Sequence, residues 1–98
     1  MIMRVFQVIV KPGKEAAFGK FFHEVAIPMM REVPGLVQVF PGAPRPTSPR
    51  AFCFVMMWES LEALKAFAGE EYTQPHIDPA EADLVESREI SHFDLVAV

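Results

Sequence analysis

The sequence predicts an α+β fold, a four-stranded antiparallel sheet with two helices on one face. Three observations predict it. Four runs are rich in β-branched and aromatic residues, as strands are. Two stretches repeat apolar residues at three- and four-residue steps, as one face of a helix does. Proline and glycine pairs separate the runs.

The elements follow in chain order. Residues 3–11 (MRVFQVIVK) read as a strand, ended by Pro12-Gly13. From Lys14 the period changes: Phe18, Phe21, Phe22, Val25, Ala26, Met29, Met30 and Val33 form one helical face. Pro28 lies inside this run; it lacks an N–H and clashes with the preceding turn, so a kink is expected near Ile27. Pro34-Gly35 stops the helix. Residues 36–40 (LVQVF) form the second strand. Residues 41–49 (PGAPRPTSP) hold four prolines and a glycine, which makes a stiff hairpin loop. Residues 51–58 (AFCFVMMW) form the third strand. Ser60 is placed to cap a short helix with Leu61, Leu64, Phe67 and Ala68 on its apolar side, closed by Gly69. Residues 70–86 are irregular and acidic, with one helical turn expected after Pro79. Residues 88–97 form the last strand. The order is β-α-β-β-α-β, the ferredoxin-like arrangement.

Composition narrows the function. The chain has 98 residues, 51% hydrophobic and 22% charged, which predicts one folded domain over residues 1–98 and excludes disorder. Nine basic against 13 acidic residues give a net charge of −4, which argues against a nucleic-acid partner. A single cysteine, Cys53, excludes an intrachain disulfide and fits a reducing, cytoplasmic setting. Residues 1–10 are apolar but short and interrupted by Arg4 and Gln7, so neither a signal peptide nor a membrane partner is expected.

One imbalance stands out. A sheet covered by helices on one side should alternate apolar and polar residues. The third strand instead runs from Phe52 to Trp58 without a polar residue, and the first is broken on its inner stretch by Gln7 alone. Both faces of the sheet are therefore apolar. Burying one large side chain contributes about 1.5–3 kcal/mol. The uncovered set, taken as Phe52, Phe54, Met56 and Trp58, would be sheltered by a second copy of the chain, with a ligand pocket where the packing is incomplete. Cys53, of opposite parity, is then expected in the helix-side core.

The residues that close these elements resemble a known family. Val10-Lys11-Pro12-Gly13, Arg31-Glu32-Val33-Pro34-Gly35-Leu36 and Trp58-Glu59-Ser60-Leu61-Glu62-Ala63-Leu64-Lys65-Ala66-Phe67 resemble the antibiotic biosynthesis monooxygenase domain of the dimeric α+β barrel superfamily. Residues 91–96 (SHFDLV) resemble its last strand. The resemblance implies a homodimeric α+β barrel that oxidises a phenolic or quinol-type molecule in an apolar pocket without an organic cofactor. The alternative it implies is a non-catalytic or haem-binding, haem-degrading protein. In members that oxidise polycyclic phenols, an Asn, a Trp and a Tyr form the site; here those places hold Phe54, Trp58 and Leu64. In haem-degrading members the corresponding places hold Gln7, Phe67 and His76.

The expected catalytic residues are His76, Trp58 and Gln7. His76 would act as a general base or an iron ligand, since its imidazole titrates near neutrality; a solvated loop histidine is the plainer alternative. Trp58 would stack on a flat substrate and donate its indole N–H, or else fill the core. Gln7 would hold a carbonyl or hydroxyl, or else bond to backbone or water. Phe52, Phe54, Met56, Tyr72 and His92 are the expected substrate-binding residues. The three histidines show no ligand spacing, so no metal is expected, and His23 is placed on the surface.

Overall fold

The computed structural model describes residues 1–75 and 77–98; the expected base, His76, lies outside the described residues. The four strands are β1 (Ile2–Val10), β2 (Leu36–Gly42), β3 (Ala51–Trp58) and β4 (Val85–Asp94), in the sheet order β2-β3-β1-β4 with every pair antiparallel. This is the predicted α+β, ferredoxin-like sheet. The first helix, α1, is a single rod in three stretches: α-helical Glu15–Phe21, a π-helical turn Phe22–Ala26 and a last α turn Ile27–Met29. The second, α2, spans Leu61–Ala68.

The kink expected near Ile27 takes the form of the π turn. Pro28 has no N–H for the carbonyl one turn back. The chain widens just ahead of it, and the Ile27 N–H reaches back five residues to the Phe22 carbonyl. At the other end of α2's approach, Gly35 turns at φ +81°, and a Cβ there would run into the Cβ of Ala63. The second strand can enter the sheet beneath α2 because that position has no side chain.

Ser60 caps α2 as expected. Its Oγ accepts the Ala63 N–H at 3.1 Å, satisfying one of the free donors of the first turn. Ser60→Ala is expected to destabilise the fold by about 1 kcal/mol; a urea melt in which the midpoint does not move would contradict that.

Several boundaries differ from expectation. β1 starts and ends one residue early, β2 continues through Pro41 and Gly42, which were expected in the loop, and the first helix ends at Met29, short of Val33. The last strand begins at Val85, three residues early, and ends at Asp94. A register shift between Ile9 and Val10 lets Val10 pair with Val85, which extends the ladder. After Pro79 the chain makes tight turns, with Glu81 N–H to the Asp78 carbonyl and Leu84 N–H to the Glu81 carbonyl, instead of a helix.

The larger correction concerns the two faces. Phe52, Phe54, Met56 and Trp58 are all buried, and they face the helices rather than the uncovered side. Phe52 lies 4.7 Å from Phe18 and 5.1 Å from Phe22 between ring centroids; Phe54 lies 4.9 Å from Phe22. Each such pair adds about 0.5–1.5 kcal/mol beyond its buried area. Cys53 is on the other face, where its Sγ crowds the space above Gly42. β3 carries no polar residue, so its own pattern gives no sign of which parity points inward. The choice falls to the phenylalanines of α1, which need large partners to fill the gap between helix and sheet.

The uncovered face is then Met3, Val5, Gln7 and Ile9 of β1, Ala51, Cys53, Val55 and Met57 of β3, with Phe40 and Phe93 on the flanking strands. Phe40 and Phe93 are each 52% exposed. The imbalance read from the sequence is present, carried by the opposite set of side chains.

Candidate functional site

A cavity of about 290 Å³ lies between α1 and the helix-facing side of the sheet. Its walls are Phe18, Phe21, Phe22, Ala26, Met29 and Met30 from α1, and Phe6, Val8, Phe52, Phe54 and Met56 from the two central strands. Phe67 and Ala68 of α2 complete the apolar lining. The π turn contributes here, because Phe22 and Ala26 both belong to it and face inward. The volume sits at the lower end of the range for small-molecule sites, about 300–1,000 Å³. It suits a molecule of a few fused rings.

Three charged residues, Arg4, Asp78 and Glu81, also line the cavity. Arg4 and Glu81 are the buried charged residues among those described, 4% and 5% exposed. Even parity in β1 puts Arg4 on the same side as Phe6 and Val8. Its Nη1 donates to the Tyr72 carbonyl at 2.7 Å and lies 3.2 Å from Nε2 of His92. The Tyr72 ring meets the His92 ring edge-on at 5.1 Å. The guanidinium is thus held from the loop and from β4 at once. Burial lowers its pKa from the ordinary arginine value, though a guanidinium stays charged at neutral pH. On the acid side, Asp78 Oδ1 accepts the Ala80 N–H at 2.8 Å, and Glu81 Oε1 lies 3.4 Å from the Asp78 N–H.

His92 is driven toward its neutral form, by burial first and by the positive charge of Arg4 second. The neutral ring can accept from Nη1; the protonated ring cannot. The sign of the linkage follows. A histidine whose pKa is lower folded than unfolded binds more protons in the unfolded chain. Its contribution is therefore complete above the ordinary value of 6.5 and is lost as pH falls below it toward the folded pKa. We expect the His92 ring protons to titrate by NMR with a midpoint below 6.5, and Arg4→Met to move that midpoint upward. A midpoint unmoved by the substitution would separate the two side chains.

The residues expected from the sequence divide into groups. Phe52, Phe54 and Met56 line the cavity, but within one chain rather than in a layer between two. Tyr72 and His92 do not line it; they hold Arg4, which does. Trp58 is fully buried, stacked 5.2 Å from Phe67, and is not part of the wall. Its indole N–H is buried without a partner, at the base of α2. Gln7 pairs with Cys53 and Glu89 on the uncovered face, across the sheet from the cavity. Trp58 and Gln7 thus lie outside the wall of this cavity for one reason each: depth in the core, and parity. The residue that sequence reasoning passed over is Arg4, seen there only as a break in an apolar run. Its signal was a charge at the same parity as Phe6 and Val8. Among the described residues, no cluster of three or more His, Cys, Asp or Glu side chains can hold a metal ion. No helix of the described residues is long and apolar enough to cross a membrane.

Comparison with known proteins bears on this arrangement. The family model described as antibiotic biosynthesis monooxygenase matches residues 1–78. No curated protein matches the chain. Among solved structures, protein SO0527 from Shewanella oneidensis is 23% identical, with a TM-score of 0.76 over 94% of this chain and 87% of its own. A structure described as an antibiotic biosynthesis monooxygenase is 18% identical, with a TM-score of 0.77 over 99% of this chain and all of its own. A mutant of MhuD with two manganese protoporphyrin IX molecules bound per active site is 20% identical, with a TM-score of 0.69 over the whole of this chain and 97% of its own. At these identities the likeness is one of fold.

Proposed function

Because this chain belongs to the antibiotic biosynthesis monooxygenase family, we propose that it oxygenates a small phenolic or quinol-type molecule held in the cavity beneath α1. The observation that carries the proposal is the contrast inside that cavity: a wall of phenylalanine and methionine with three charged residues in its lining. A flat ring fits the wall, and its polar substituent is drawn to Arg4, Asp78 and Glu81. The surrounding side chains exclude water and hold the ring in one orientation.

The chemistry asks little more of the protein. Loss of the phenolic proton to a carboxylate or imidazole leaves an electron-rich anion. That anion passes one electron to dioxygen, and the ring radical and superoxide combine to form a C–O bond. Where the carbon attacked still bears hydrogen, the resulting hydroperoxide loses water and leaves a carbonyl. One oxygen atom ends in the product and the other in water, and the substrate supplies the electrons. Arg4 stabilises the anion by its charge. Glu81 and His76 are the candidates for the proton acceptor, and Glu81→Gln and His76→Ala separate them.

The test is oxygen uptake by purified protein over a panel of quinols and hydroxyanthracenes, with ¹⁸O₂ to trace the atoms. The expected result is uptake above background and one labelled oxygen in the product. No uptake across the panel would overturn the proposal. The haem alternative draws no support from the cavity. The space suits a few rings better than a porphyrin.

The proposal includes a second copy of the chain on the uncovered face. Met3, Val5, Ile9, Val55, Met57, Phe40 and Phe93 form a band that one chain leaves open. Apolar patches larger than a few hundred Å² are unusual on monomers (roughly 300–600 Å² at most). Two sheets meeting face to face would close it.

A further inference from the structure

Arg4 offers the ligand more than a charge. Its two hydrogen bonds both leave from Nη1, to the Tyr72 carbonyl and to His92. Nε is buried and has no partner. No hydrogen bond of Arg4 leaves from Nη2 either, so the two parallel N–H groups of the Nε–Nη2 edge have no partner among the described residues. Two parallel donors match the two oxygens of one carboxylate. Arg4 forms no ion pair with a described acid. It is also the only side chain with N–H donors among the described residues that line the cavity.

We infer that Arg4 is a carboxylate receptor, and that the ligand of this cavity is an aromatic acid whose carboxylate lies side-on against the free guanidinium edge. The inference rests on the cavity being the ligand site, as proposed above, and deepens it by naming the group that meets Arg4. Tyr72 and His92 are positioning residues. By taking up Nη1 from behind, they leave the opposite edge turned to the ligand. The nearby acids set a limit on the ligand's charge. Asp78 and Glu81 line the same cavity, and each is already near a backbone N–H. With two carboxylates there against one guanidinium, a phosphate dianion is disfavoured more strongly than a single carboxylate. The aromatic part then lies among Phe18, Phe22, Phe52 and Phe54.

The test is calorimetric titration of the intact protein with three probes of one ring system: 2-naphthoate, its amide 2-naphthamide, and 2-naphthol. The wild-type protein is expected to bind naphthoate at least tenfold more tightly than the amide. Arg4→Lys, which keeps the charge but not the parallel donors, is expected to lose at least tenfold in naphthoate affinity. Arg4→Gln is expected to erase the preference, with circular dichroism confirming that each variant is folded. Equal wild-type affinity for acid and amide would overturn the inference, and this comparison needs no variant. Naphthol binding without a preference for naphthoate would overturn it while leaving the phenol proposal standing. Binding of none of the three would overturn both. Naphthoate binding with Arg4 dependence but no oxygen uptake on any substrate would support the receptor and sink the oxygenase.

Discussion

Replacing Trp58 by Ala is expected to cost about 3–5 kcal/mol of stability, the usual range for removing a buried Trp or Phe. The indole is fully buried at the end of β3 and packs on Phe67 of α2. Its loss leaves a void where β3, β2 and α2 converge. Leu36 pairs directly with Trp58, and Gly35 accepts the Glu59 N–H at 2.9 Å, so the damage reaches the entry of β2 as well. Trp58→Phe should cost much less, since it keeps a ring on Phe67 and removes an indole N–H that has no partner. Urea denaturation followed by circular dichroism measures both. The ligand measurements then discriminate structure from function. If Trp58 formed the cavity wall, Trp58→Phe would alter probe affinity while leaving stability nearly intact. The expected outcome is unchanged affinity, with the large loss of stability confined to Trp58→Ala.

The second large effect concerns association. Wild-type protein is expected to sediment at about twice its chain mass of 11.0 kDa, and Val55→Asp at the chain mass itself. Val55 sits mid-sheet on the uncovered face, with Val5 opposite it on β1 and Phe40 opposite it on β2. A carboxylate there would have to be buried without a partner on each of two chains. A hundredfold weakening of the dimer corresponds to about 2.8 kcal/mol, within reach of one desolvated charge. Because Val55 points away from the cavity, the folded variant should still bind the naphthalene probes. A wild-type chain that remains monomeric at micromolar concentration would remove the dimer from the proposal without touching the cavity. Sedimentation and titration therefore judge separate claims.

Much of the fold was legible in the sequence. Strand and helix periods, Pro-Gly stops and the Ser60 cap depend on neighbouring residues, and each acts over a few positions. The excess of apolar residues was legible for a similar reason: area can be counted without knowing where it points. The site was legible in part. Phe52, Phe54 and Met56 could be grouped by parity, and they do line one space. Trp58 shares that parity but lies deeper, where α2 covers it, and depth is not written in alternation. Gln7 and Arg4 are three positions apart in one strand, which puts them on opposite faces.

The sequence by itself determined the order of elements and the presence of more apolar surface than two helices can hide. Those are local or additive properties. Only the tertiary structure decided which side of β3 the helices cover, because a strand apolar at both parities satisfies either choice. That decision came from Phe18 and Phe22, some thirty residues away in the chain, packing onto Phe52 and Phe54. It moved the cavity inside the subunit, sent Trp58 into the core, and turned Arg4 from an interruption into part of the lining of a binding site.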